Sequence, residues 1–239
     1  MRSENQSNGF ETGVRIRPAA TLLLVRDGRN GIEVLTLKRS KKMRFLPGHI
    51  AFPGGAVDDE DRLYIDTLGD VHVTAGMNSD DAVYAAAALR ECGEEIGWAC
   101  SLSQHGEPLR EQYVPHPTQV QLLHSEITYH AWLQEVGYEI DFKRLRFVGR
   151  WVTPPSMPAR FDTRFFLYRM METDLEPSVH LDENDWARWL DVSETLRKTE
   201  SGECAAAPPT MAMLKGLEKF PTVKECFDSL YVPGPTPTR

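Results

Sequence analysis

No stretch of this chain reaches the roughly 18 consecutive apolar residues that a membrane-spanning helix needs. The opening segment, MRSENQSNGFETG, also lacks the apolar run of a secretory signal. Residues 1–13 therefore read as a disordered N-terminal arm. Cysteine is scarce: Cys92, Cys100, Cys204 and Cys226 are the four, and no two form a CxxC pair. Such spacing argues for reduced thiols rather than a zinc knuckle or a disulfide framework. The seven histidines form neither HxxxH nor HExxH. Positive charge is in deficit, with 27 Lys and Arg against 35 Asp and Glu, a net charge of −8. That balance argues against a broad nucleic-acid surface, which needs clustered cations. Internal repeats are absent. The ending, VPGPTPTR, reads as a flexible tail over 231–239 and carries no obvious address, so a cytoplasmic setting is expected.

What is present is enough for a core. The 239 residues are 41% apolar, which fits a single domain over 14–230 carrying insertions. AATLLLVRD (19–27) and IEVLTLKRS (32–40) read as strands joined by a GRNG hairpin turn. Residues 41–57, basic and then rich in Gly and Pro, read as a loop, a short strand and a second loop. Residues 58–80 are acidic and without clear period, with small local elements at YIDTL and VHVTA. A helix is expected from Asp81, with an N-cap at Ser79–Asp81 and a stop at Gly97. Residues 101–145 hold two helices. Strands are expected at 145–154 and 159–170, a strand running into a helix at 185–196, and closing helices at 210–220 and 222–230. The insertions are placed at about 60–80 and 101–145. Antiparallel strands mixed with helices make this an α+β chain.

The stretch LRECGEEIGW (89–98) carries the chemistry. Leu89, Cys92 and Ile96 follow Ala85 at spacings of four, three and four, so they form one buried stripe. Glu91 and Glu95 point the opposite way, with Glu94 beside them. Like charges packed so closely repel, and a divalent cation would offset that repulsion. Three carboxylates make an oxygen-rich site suited to Mg²⁺ or Mn²⁺ rather than zinc. Arg90 can reach Glu94 at i+4. Upstream, the glycines of FPGG would let backbone approach a ligand closely.

These residues resemble the Nudix box: Gly, five residues, Glu, seven residues, then Arg-Glu-apolar-x-Glu-Glu-x-Gly-apolar. Arg90, Glu91, Cys92, Glu94, Glu95, Gly97 and Trp98 fill its second half. The first half departs. Residues 56–89 separate Gly55 from Arg90, a gap of 34 where the box has thirteen. Counted back from Arg90, Ala82 falls at the family's first Glu, with Asp81 one residue early. The resemblance implies the Nudix fold, a mixed sheet sandwiched between helices, here with helical insertions. It implies that Glu91, Glu94 and Glu95, with the Gly54 carbonyl, hold Mg²⁺ or Mn²⁺, and that Arg90 orients the carboxylates. The implied chemistry is hydrolysis of a nucleoside diphosphate linked to another group.

LTLKRSKKMRFLPGHIAFPGG (35–55) is similar to the signature of the coenzyme A diphosphatases within that superfamily, and FLPGHIAFPGG, the insert within the box, WVTPPSMPARFDTRFFLYRM (151–170) and ARWL (187–190) together resemble its long-insert, peroxisomal-type branch. Arg39, Ser40, Arg44, Gly48, Phe52, Pro53, Gly54 and Gly55 fall in register, while Thr36 and Leu37 do not. The resemblance makes Arg39, Arg44, Phe52, Gly54 and Gly55 candidate substrate contacts. It implies cleavage of coenzyme A or acyl-coenzyme A to 3′,5′-ADP and (acyl)phosphopantetheine. Readings left open are a pyrophosphatase for ADP-ribose, a dinucleotide or a nucleotide sugar, and a non-catalytic nucleotide sensor. The general base is either a Glu of the box, with Glu94 and Glu95 counted as catalytic beside Arg90, or one from a later loop, where Glu183 of LDENDWARWL is the nominee and Asp182 and Asp185 compete. Arg160, Asp162 and Arg164 alternate with phenylalanines; an Arg facing substrate and a structural Arg–Asp pair are both open. His124 and His130 are expected to be ordinary surface or satisfied residues. The expected partner is a small-molecule nucleoside diphosphate, with no nucleic acid and no membrane. A homodimer is expected only from the general frequency of two-fold oligomers.

Overall fold

The computed structural model describes residues 15–235 apart from 70, 75, 172–174 and 180–182. The N-terminal arm expected over 1–13, the competing Asp182 and the last four residues of the expected tail lie outside that set.

The first strand, β1 (Ile16–Asp27), begins three residues earlier than its apolar run and explains that run. Leu22, Leu23, Leu24 and Val25 are all fully buried. Alternate side chains of a strand face opposite ways. Leu22 and Leu24 enter one hydrophobic cluster, while Leu23 and Val25 enter a second on the other side. A strand covered on both faces shows a continuous apolar sequence rather than an alternating one.

The hairpin partner is β2 (Ile32–Arg39), followed by β3 (His49–Ala51), β4 (Gly54–Ala56), α1 (Asp59–Leu68) and α2 (Ser79–Ile96). Four two- or three-residue strands come next: β5 (Trp98–Ala99), β6 (Leu102–Gln104), β7 (Glu107–Pro108) and β8 (Gln112–Tyr113). Then follow α3 (His116–Leu123), α4 (Tyr129–Val136), β9 (Glu139–Ile140), β10 (Leu145–Val152), β11 (Arg160–Arg169) and β12 (Asn184–Asp191). The chain closes with α5 (Val192–Glu200), β13 (Ala205–Ala206), α6 (Pro208–Leu217) and α7 (Val223–Ser229).

The main sheet runs β10-β11-β1-β2-β3-β13, with β12 also on β2 and β4 also on β1. Pairing of β1 with β11 is parallel, and that of β1 with β2 antiparallel. The sheet is therefore mixed. α2 and the inserted helices cover one cluster, and α5, α6 and α7 the other. This is the expected α+β sandwich. No helix among the described residues is long and apolar enough to cross a membrane.

One irregularity positions the site. β1 and β2 pair only next to their turn, Val25–Asp27 against Ile32–Val34. Beyond it they part, β4 pairing with β1 at Ala19–Thr21 and β3 with β2 at Leu37–Lys38. Phe52 and Pro53 fill the fork, where the Leu22 N–H donates to the Pro53 carbonyl at 2.9 Å. The fork brings Gly54 and Gly55 against α2.

α2 starts two residues before Asp81. Its N-cap is Asn78, whose side chain accepts from the Asp81 N–H at 3.1 Å. The Asp81 carboxylate in turn accepts from the Asn78 N–H at 2.8 Å, closing a capping box. Gly97 ends the helix at φ 70°. The predicted stripe of Ala85, Leu89, Cys92 and Ile96 is fully buried. The opposite side is also covered, because α1, α3 and α4 pack over it. Gly93 sits beneath Tyr129, where a Cβ would lie 2.6 Å from the ring. The insertions thus turn an acidic helix face into the floor of a pocket.

Candidate active site

Arg90 is the centre of the site and is almost wholly buried. Its Nε and Nη2 bond the two carboxylate oxygens of Asp61, each at 3.1 Å. Nη2 also donates to the Ala56 carbonyl at 2.8 Å. Nη1 reaches Glu91 at 3.1 Å and Glu94 at 2.9 Å. A guanidinium has the planar fork for such a set and keeps its charge when buried. The surrounding carboxylates push its already high pKa higher still, against the opposing effect of burial.

Asp61 corrects the reading of the box. Counting back from Arg90 placed Ala82 and Asp81 at the first acidic position. Ala82 is fully buried apolar packing, and Asp81 caps α2 and pairs with Arg164. The group that engages Arg90 is Asp61, separated from Gly55 by the five residues 56–60 that the box requires. The extra residues lie between Asp61 and Arg90, so the spacing from Gly55 forward was the signal to follow. Burial would raise the Asp61 carboxyl, but hydrogen bonds from His130 and Arg90 hold it below its usual value. His130, expected to be an ordinary surface or satisfied histidine, is buried: Nε2 lies 3.0 Å from Asp61, and its ring stacks on Tyr64 at 4.2 Å.

Glu95 is buried, and its Oε2 accepts from the Gly54 N–H at 2.9 Å. The shown contact of Gly54 is thus through its N–H. Both glycines are required by close approach. A Cβ on Gly54 would stand 2.3 Å from the Ala20 carbonyl oxygen, and φ there is +156°. A Cβ on Gly55 would stand 2.3 Å from the Glu91 carboxylate.

Burial pushes the Glu94 carboxyl up to about 8, with Arg90 opposing and Glu91 and Glu60 adding to the rise. Burial also raises Glu91 and Glu95, Arg90 opposing at Glu91 and the Glu91 charge adding at Glu95. Glu60, missed in the sequence, lines the same pocket and is raised chiefly by burial. One cation among so many carboxylates leaves negative charge unmet, which is the condition a divalent ion relieves. Among the described residues no three acidic, His or Cys side chains close a metal cage by themselves. An open set of hard oxygen donors fits Mg²⁺, which keeps several waters and takes further oxygens from substrate phosphates.

Two clefts meet at these carboxylates. The first, about 180 Å³, is lined by Glu60, Arg90, Glu91, Glu94 and Glu95, and also by Leu122 of α3 and by Thr128, the N-cap of α4. The second, about 370 Å³, holds Arg39, Phe45, Gly54, Gly55 and Phe161. Glu91, Glu95 and Glu183 line both. Glu183 is there because β12 pairs with β2, its carbonyl accepting from the Ser40 N–H at 2.8 Å. Arg44 is exposed in the loop after β2 and lines neither cleft. Phe52, expected to touch substrate, is instead buried in the cluster under α6. Asp162 and Arg164 are structural, paired with Arg150 and Asp81.

The NUDIX domain family matches residues 15–133. A NUDIX hydrolase from Alicyclobacillus acidocaldarius is 39% identical, with a TM-score of 0.86 over 92% of this chain and 98% of that one. A Caenorhabditis elegans protein named putative nudix hydrolase 7 is 26% identical over 85% of this chain, which spans 61% of that relative's length. A protein of the same organism, named a peroxisomal coenzyme A diphosphatase, is 36% identical over 62 residues, 25% of this chain and 26% of that protein. The forked sheet, the Arg90-centred carboxylates and full-length similarity to a solved NUDIX hydrolase agree, and the chain belongs to the Nudix hydrolase family.

Proposed function

We propose that this protein hydrolyses a nucleoside diphosphate linked to another group, with coenzyme A or acyl-coenzyme A as substrate. The observation that carries the reading is the junction of an acidic pocket with a cleft holding Arg39, on either side of Glu91 and Glu95. Mg²⁺ or Mn²⁺ would be held by Glu91, Glu94 and Glu95, supplying Lewis acidity and lowering the pKa of water. Arg90 fixes the carboxylates, since its other donors are anchored on Asp61 and Ala56. Arg39 faces the diphosphate as a fixed cation. Glu183, at the junction, accepts the proton of the attacking water. Water adds to one phosphorus, and the bond from that phosphorus to the bridging oxygen breaks. The products are 3′,5′-ADP and phosphopantetheine, or its acyl form. Support for the substrate comes from the 35–55 signature and from the partial likeness to a protein named a coenzyme A diphosphatase.

The test is product analysis with Mg²⁺ or Mn²⁺ on coenzyme A, dephospho-coenzyme A, acetyl-coenzyme A, ADP-ribose and NADH. Release of 3′,5′-ADP, reduced on the order of 100-fold in Glu94→Gln, is expected. Faster cleavage of ADP-ribose or NADH would replace the substrate and leave the metal site standing. Nucleotide binding without cleavage of any of them would make the chain a sensor.

A further inference from the structure

The cleft holding Arg39 does not end at Phe161. Through Ala56 and Phe161 it continues into a third cavity of about 630 Å³, the largest of the three. Four arginines line it: Arg15 just before β1, Arg17 at its start, Arg62 from α1 and Arg160 from β11. Asp58 and Asp59 also line it, Asp58 with a carboxylate oxygen 3.6 Å from Arg90. Four cations against two carboxylates is the reverse of the chain's overall charge. Among the described residues, Arg15, Arg17 and Arg62 have no carboxylate at ion-pair distance, and Arg160 is held only by the Thr153 carbonyl, at 3.2 Å from Nε. Between this cavity and Arg39, Phe45 and Phe161 stand with ring centroids 5.5 Å apart, offering an aromatic wall.

We propose that this arginine cleft is a second anion subsite, which seats a phosphate monoester of the substrate remote from the scissile diphosphate. Unpaired guanidinium groups on rigid strands and a helix are suited to a dianionic monoester, because each can donate a fork of two hydrogen bonds. An aromatic wall before them suits a nucleobase lying between the two phosphate positions. The subsite would select a nucleotide half bearing an extra phosphate over the same molecule without it. This deepens the coenzyme A reading and rests on it for the substrate's identity, but not for the anion chemistry.

Calorimetry on the full chain without metal tests it, with 3′,5′-ADP and 5′-AMP as probes. The bisphosphate should bind at least about tenfold more tightly. That preference should vanish in the Arg17→Ala/Arg62→Ala variant and return in part in Arg17→Lys/Arg62→Lys. Both side chains are exposed, so the folded state should tolerate the changes. In parallel, the ratio of kcat/KM for coenzyme A over dephospho-coenzyme A should fall about tenfold in the alanine variant. Equal binding of the two probes to the unaltered protein would overturn the subsite, as would a preference that survives the alanine variant. Failure to cleave any diphosphate would instead sink the hydrolase reading, while the calorimetric comparison would still decide the subsite.

Discussion

Asp61 and Arg90 show how a single residue can complete a motif whose spacing the sequence breaks. Asp61 has no exposed surface and takes two bonds from Arg90 and one from His130. Removing one member of a buried ion pair leaves the other charged and uncompensated, at about 3–5 kcal/mol. Asp61→Ala should therefore lower unfolding stability by that amount in urea titrations, and activity should fall with it because Arg90 loses its anchor. An unchanged midpoint would mean that Arg90 finds another partner. The carboxylates make a second prediction. The Glu94 carboxyl is pushed from its usual 4.5 up to about 8, chiefly by burial. The folded state then binds this proton more tightly than the unfolded state. Stability must fall as pH rises from about 4.5 through about 8. The metal-free melting temperature should drop across that window. Mn²⁺ or Mg²⁺ should raise it most at the alkaline end, where the ligands are already deprotonated. A metal-induced shift that was the same at pH 5.5 and 8.5 would contradict this.

At the level of elements, the strand–glycine–helix junction matters most. Gly55 on β4 lies so near α2 that a methyl group would displace the Glu91 carboxylate. Gly55→Ala should cost on the order of 100-fold in kcat, through misplacement of the metal ligands. The start of α2 behaves differently. Asn78→Ala removes one cap bond, far along the helix from the carboxylates. It should cost about 1 kcal/mol of stability and leave KM where it was, as thermal melts beside steady-state kinetics would show. The sequence located α2 and its stop at Gly97 because apolar spacing and a left-handed glycine are local signals. It misassigned the cap because Asn, Ser and Asp in succession are all capable N-caps, and only the geometry of the preceding loop chooses among them.

Over the whole molecule, the sheet separates two cores with different duties. One holds α2 and its insertions; the other holds α5, α6 and α7 against the far face. Leu214 is fully buried in the second, away from all three clefts. Leu214→Ala should cost about 2–5 kcal/mol while leaving kcat/KM close to that of the unaltered protein below its melting range. A selective loss of activity at full stability would show that the two faces are coupled.

Although α1, β5 to β9 and β13 went unread in it, the sequence by itself determined the hairpin, the acidic helix, the later run of β10, β11, β12, α5, α6 and α7, and the family to which these belong. Each of those rests on period, turn chemistry or contiguous motif residues, which are properties of neighbours along the chain. The tertiary structure decided the rest. Asp61 meets Arg90 only because α1 folds back on α2, and Phe52 turns from a candidate contact into core because the fork of β1 and β2 closes over it. Glu183 reaches Glu91 and Glu95 through the pairing of β12 with β2. The arginine cleft joins Arg15, Arg62 and Arg160, residues far apart in sequence. Contacts of that kind leave no local trace, since what fixes them is the packing of remote segments rather than the pattern within any one.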